Sequence, residues 1–122
     1  MSIRILIVDE DALSREVLKG LLDAPVYHIE EANKGELALK MTANKHYDVV
    51  FMNMRMSDLS SPEVAHRIRI HEYNNHTHCP AKIIAICDRF PKSKHFDWSH
   101  SGFDHSIGKP LNEKDIIHAI RL

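Results

Sequence analysis

Asp9, Glu10 and Asp11 stand together directly after the apolar run Ile5-Leu6-Ile7-Val8, and adjacent acids closing a buried strand are costly unless something pairs with them. Lys109, which follows Ile107-Gly108 and precedes Pro110, is the obvious counter-charge. A third strand-like run, Tyr47-Asp48-Val49-Val50-Phe51-Met52, closes on Asn53, where an aspartate would have made immediate chemical sense. An amide at the third position is neutral and poorly nucleophilic, although its oxygen remains a weak metal ligand. Taken alone, Asn53 reads as a strand-end residue meeting its own hydrogen bonds, and Asp9-Glu10 as a solvated acidic loop.

These positions depend on the elements that carry them. Ile3 to Val8 reads as a strand, followed by Leu13, Val17, Leu18, Leu21 and Leu22 at helical spacing, with Asp11 as cap and Pro25 at the exit. Val26 to Ala32 predicts a second strand, Lys34 to Lys45 a helix carrying Leu37, Leu39 and Met41, and Tyr47 to Met52 a third strand. Pro62 suits a first helical turn capped by Ser60 or Ser61, with Val64, Ala65, Ile68 and Tyr73 on one face and an end near Asn74-Asn75. Ala81 to Ile86 is a strand buried on both faces, His105 to Gly108 a weaker fifth, and Asn112 caps a last helix with Ile116, Ile117 and Ile120. Between Asp88 and Gly102 no clear apolar face appears, so a helix there is expected to be short or frayed.

Strands alternating with helices require crossover connections, hence a parallel sheet covered on both faces. The crevice of such a sheet lies beyond the carboxyl ends of its strands, which is where Asp9, Glu10, Asn53, Cys87 and Lys109 fall. A length of 122 residues suits one domain. Lys plus Arg number 16 against 17 Asp plus Glu, so no net field argues for nucleic acid or an anionic membrane as partner. Neither a membrane-spanning run nor a signal segment is found, and the chain reads as cytoplasmic. Cys79 and Cys87 flank a strand that holds them beyond disulfide reach, which predicts two reduced thiols. Ten histidines invite a metal or pH-sensing role, above all His71, His76 and His78 beside Cys79, but the spacing is not a zinc frame and a solvated loop is the plainer reading. His95, His100 and His105 take the same reading.

Together the acidic pair, the strand-end amide and the lysine before proline resemble the receiver domain of two-component response regulators, over essentially all of the chain. The resemblance implies a flavodoxin-like (βα)5 doubly wound sandwich, with five parallel strands in the order 2-1-3-4-5 and helices on both faces. It also implies Mg²⁺ held by Asp9, Glu10, the residue at Asn53 and the backbone carbonyl of Arg55, with phosphoryl transfer onto the strand-three position and Lys109 on the developing charge. The acceptor aspartate of the family falls on Asn53, so phosphoryl acceptance is expected to be lost and the cation absent or weakly bound. Lys109 is then expected to pair with Asp9.

Further departures follow the same direction. Cys87 stands where the family has Ser or Thr, and Ser106 where it has a switching aromatic residue. Ser57 replaces a proline and Ser61 a glycine. A single engineered change at Asn53 would not explain the other four. The resemblance therefore implies a degenerate receiver, not an enzyme, that signals through protein contacts with a histidine kinase, with an attached output domain, or with a second copy through helix four, strand five and helix five. The last helix stops at Leu122 after barely three turns, and residues 1-122 are expected to be the N-terminal part of a longer protein. Two alternatives stand beside this reading: an ordinary phospho-accepting receiver whose aspartate was replaced in this variant, and a sensor working through Cys87 or a metal.

Overall fold

Residues that are apolar at every position of a strand, not at alternate ones, can be satisfied only between two covering layers. Ile5 to Val8, Val49 to Met52 and Ile83 to Ile86 are such runs, and all twelve residues are buried. They form the centre of the sheet in the computed structural model, which describes residues 2–88 and 101–122. The elements run β1 (Ile3–Val8), α1 (Ala12–Leu21), β2 (Tyr27–Ala32), α2 (Gly35–Asn44), β3 (Val49–Asn53), α3 (Ser61–Asn74), β4 (Lys82–Cys87), β5 (His105–Gly108) and α4 (Glu113–Arg121). All strand pairs are parallel, in the order β2-β1-β3-β4-β5. The expected architecture is therefore present, and the segment expected to hold a weak helix between β4 and β5 lies largely outside the described residues.

The two-residue period of each strand divides the core. Leu6, Val8, Val50, Met52, Ile83 and Ala85 face α2 and α3, meeting Ala38, Val64, Ala65 and Ile68. Ile5, Ile7, Phe51, Ile84, Ile86 and Ile107 face α1 and α4, meeting Leu18, Leu22, Ile116 and Ala119. Gly35 opens α2 because a Cβ there would lie 2.8 Å from a Val64 methyl, too close for the α2–α3 contact to survive unchanged.

Two sequence-based assignments of apolar residues are corrected. Leu13 and Val17, grouped with the inward face of α1, are 70% and 51% exposed, because Leu18 and Leu22 fill the sheet side. Tyr73, grouped on one face of α3 with Val64, Ala65 and Ile68, is 83% exposed, and the burial of that face ends at Ile68.

On the edge strand β2, Glu31 bonds Arg15 at 2.8 Å and Lys19 at 3.1 Å, while Glu30 holds Lys45 at 2.9 Å and the buried Tyr47 hydroxyl at 2.8 Å. Bonding to Lys19 holds Glu31 below its ordinary value of 4.5, and Lys45 followed by Tyr47 does the same for Glu30. Burial, and then the bond to Glu30, pushes the Tyr47 phenol up. A depressed carboxylate contributes stability that is present above its unfolded pKa and is lost as pH falls through the folded one. Urea unfolding is accordingly expected to weaken below about pH 4.5, by roughly 0.5 kcal/mol for each carboxylate after solvent screening. Glu31→Gln should flatten that acid slope, and a slope unchanged in the variant would assign the loss to other groups.

Candidate functional site

Strand register alone assembles the site. Val8 pairs with Met52 and Asn53 with Ile86, so Asp9 and Asn53 leave the sheet side by side. Cys87 pairs with Gly108, which puts Lys109 one residue beyond. The Lys109 N–H donates to the Cys87 carbonyl at 2.9 Å, and the Lys109-Pro110 peptide is cis.

Asp9 is 6% exposed. Its N–H donates to the Ala32 carbonyl at 3.0 Å, and its own carbonyl accepts from Arg15 Nη1 at 2.7 Å, so its backbone is fixed from both sides. Its Oδ1 accepts the Asp11 N–H at 3.0 Å and Asn53 Nδ2 at 3.3 Å. Asp11 caps α1 as expected, accepting from Ser14 N at 3.2 Å and Ser14 Oγ at 2.7 Å, and these bonds hold its carboxyl below the usual range.

The amide nitrogen of Asn53 also donates to the Arg55 carbonyl, at 3.2 Å, while its Oδ1 lies 3.5 Å from the Arg55 N–H. Exchanging oxygen and nitrogen would set an acceptor against an acceptor on one side and a donor against a donor on the other, so the neighbours dictate the orientation. Glu10 is turned elsewhere: Oε1 accepts the Ser57 N–H at 2.9 Å and Oε2 accepts the Ser57 hydroxyl. The β3–α3 loop that carries Ser57 is fixed at two further points. Asp58 accepts the N–H groups of Gly35 and Glu36 at 3.1 Å each, at the start of α2, and the buried Ser61 donates its hydroxyl to the Asn53 carbonyl.

One expectation fails here, and one alternative loses its support. Among the described residues Lys109 makes no ion pair with Asp9, whose Oδ1 takes two neutral donors instead. Instead Lys109 lines a 330 Å³ cavity with Asp9, Asp11, Ile86, Leu111 and the exposed side of α1. The thiol of Cys87, considered as a group activated by Lys109, is pushed up instead, first by burial and then by Asp88, with Lys109 opposing both. A protonated thiol is a poor nucleophile and a poor redox sensor. Both cysteines are free. Asp88 pairs with Arg55 at 2.8 Å across the ends of β3 and β4, while Ser106 is exposed on β5.

A divalent cation needs several oxygens converging on one point. Asp9 Oδ1 and the Arg55 carbonyl do converge, but on an N–H donor rather than a vacant centre, and both Glu10 oxygens are engaged by Ser57. As arranged, a cation held by these four residues would have to displace the Asn53 amide and draw Glu10 from Ser57. No group of three or more His, Cys, Asp or Glu suited to a metal occurs among the described residues, the stretch from His71 to Cys79 included. His95 and His100 lie outside the described residues, and His105 packs edge-on to His118 with ring centroids 6.3 Å apart.

Residues 5–121 match the response regulator receiver domain. The chain belongs to that family. The receiver domain described here is 32% identical to the response regulator TrrA of Thermotoga maritima, solved in complex with Mg²⁺-BeF, with a TM-score of 0.79, covering 99% of this chain and 97% of that one. It is 23% identical, with a TM-score of 0.85, to the receiver domain of Ssk1 of Saccharomyces cerevisiae, solved with the histidine phosphotransfer protein Ypd1; 98% of this chain and 86% of that one are covered. Transcriptional regulatory protein SrrA of Staphylococcus aureus is 24% identical over 121 residues, which is 99% of this chain and 47% of SrrA. The receiver domain thus spans about half the length of the curated relatives it matches.

Sequence reasoning located every strand-end residue of the site but not the partner of Glu10. The available signal was the serine at position 57, since a serine restores the backbone N–H that a proline lacks. No helix among the described residues is long and apolar enough to cross a membrane.

Proposed function

We propose that this receiver domain is a signalling module that has lost phosphoryl acceptance and works through the proteins it touches. One observation carries the reading: Asn53 Nδ2 donates at once to Asp9 and to the Arg55 carbonyl. The two groups that would face a cation are thereby satisfied by the residue that replaces the nucleophile. A carboxamide has no anionic oxygen with which to attack phosphorus, and acyl phosphate formation at that position is unavailable to it. The pocket is at rest without Mg²⁺, and any cation it takes is held weakly.

The partners on this reading are proteins of the histidine kinase or phosphotransfer class, an attached output domain following residue 122, or a second copy through β5 and the last helix. The protein acts in the cytoplasm as the N-terminal part of a longer chain. Leu13 and Val17, exposed on α1 beside Pro110 and Leu111, supply an apolar surface for such contacts at the rim of the pocket.

Incubation with a small-molecule phosphodonor and Mg²⁺, followed by intact mass measurement, tests the reading. The unaltered chain is expected to gain no phosphoryl mass. A hydroxylamine-labile phosphate on it would overturn the proposal and restore the reading of an ordinary phospho-acceptor.

A further inference from the structure

The obstacle to a divalent cation has two separate causes, and only one of them is Asn53. The other is Glu10. An exposed carboxylate next to a buried one is free to swing toward a cation unless something holds it, and here both of its oxygens are held by a single residue, the N–H and the hydroxyl of Ser57. Charge-assisted bonds of this kind are stronger than neutral ones, and two of them hold the carboxylate in an orientation that a cation recruiting it would have to disturb.

The donor pair exists because of the residue type at position 57. A proline there would have neither the N–H nor the hydroxyl. Ser57 is also presented by a loop that is already fixed, since Asp58 is bound to the start of α2 and Ser61 to the Asn53 carbonyl. Capturing Glu10 therefore requires little further ordering of the chain, which is the condition under which a surface hydrogen bond retains its strength.

We propose that Ser57 is a positioning residue that keeps the pocket closed to divalent cations by holding Glu10 away from Asp9, independently of Asn53. The inference rests on the reading of the domain as a degenerate receiver and deepens it, because restoring the missing aspartate alone would leave the pocket one acid short. Ser57 acts through Glu10 and touches no cation itself.

Mg²⁺ binding measured by isothermal calorimetry separates the two contributions. The starting protein is expected to give no binding heat, and Asn53→Asp only weak binding. Asn53→Asp combined with Ser57→Pro should bind at least about tenfold more tightly than Asn53→Asp alone, as expected when two charge-assisted bonds no longer compete for the acid. Asn53→Asp with Ser57→Thr, which keeps both donors, should stay with Asn53→Asp. If the proline variant fails to fold by thermal denaturation in chelator, Asn53→Asp with Ser57→Ala takes its place; it keeps the N–H, loses the hydroxyl and should fall between the two.

Equal affinity for Asn53→Asp and for its Ser57→Pro or Ser57→Ala derivative would overturn the role of Ser57. So would a threonine variant as tight as the proline one. Neither result would touch the proposed loss of phosphoryl acceptance, which fails only if the unaltered chain takes up phosphate.

Discussion

Asn53→Asp is expected to destabilise the domain in the presence of a chelator, by about 2–3 kcal/mol near neutral pH. The amide nitrogen it replaces lies 3.3 Å from Asp9 Oδ1 and 3.2 Å from the Arg55 carbonyl, so a donor that satisfies two acceptors becomes an acceptor facing both. Two unit charges at that separation repel by about 5 kcal/mol at an effective dielectric constant near 20, and rotation of the new side chain relieves part of this. The sign of the pH dependence follows. Crowding raises the upper pKa of the carboxylate pair in the folded state, so the folded variant binds more protons than the unfolded chain and its deficit shrinks as pH falls through that raised value. Urea unfolding at pH 7.5 and below about pH 5 should show the gap to the starting protein closing in acid. Magnesium provides the second arm: it should restore part of the loss in Asn53→Asp by binding only the folded state, and leave the midpoint of the starting protein unmoved. A variant as stable as the starting protein in chelator at pH 7.5 would mean that Asn53 is not what satisfies Asp9.

The fold and the membership of the site were legible because they rest on patterns that act over short stretches of chain. Continuous apolar runs such as Ile5-Val8 and Ile83-Ile86 require two covering layers, and with helices between them the sheet must be parallel. Strand ends then converge whatever the side chains are, which is why Asp9, Asn53, Cys87 and Lys109 could be brought together before any coordinates. What the sequence did not reveal is which donor each acceptor takes. Pairing Lys109 with Asp9 weighed charge alone, whereas Asp9 is satisfied locally by the Asp11 N–H and by an amide beside it, at distances set by the loop backbone. The alternative of a sensor working through Cys87 weakens for a related reason: burial and then Asp88 raise the thiol, and the single cation Lys109 only opposes them. Leu13, Val17 and Tyr73 were misassigned for a different reason: helical spacing defines a stripe, and the sheet it meets decides how wide that stripe is and where it ends.

Arg69→Ala is expected to lower stability by roughly 2–3 kcal/mol, a large effect for one side chain outside the main core. The side chain is only 25% exposed, and its guanidinium fills four roles at once. Nε donates to the Gly102 carbonyl at 3.0 Å, Nη1 to the Ala81 carbonyl at 2.8 Å and to Glu72 at 2.7 Å, and Nη2 to Asp104 at 2.6 Å. The two carboxylates are themselves committed to the sheet, Glu72 to the Ala81 N–H at 2.7 Å and Asp104 to the Ile83 N–H at 2.8 Å. Arg69 therefore ties α3 to the start of β4 and to the segment that leads into β5, where a Cβ on Gly102 would come within 2.7 Å of the Ala65 carbonyl. Truncation leaves two carbonyls without their donor and two carboxylates without their cation. Water reaches Asp104, whose side chain is half exposed, so the ionic share of the loss is discounted and most of the effect lies with the carbonyls and Glu72. Arg69→Lys should recover less than half, because one ammonium cannot span acceptors on three sides. Urea unfolding of both variants measures this, and a loss below about 0.5 kcal/mol for Arg69→Ala would reduce the network to a surface contact. The same clamp bears on the pocket, since β5 delivers Lys109: loosening the segment before His105 frees the strand whose end holds that lysine beside Cys87.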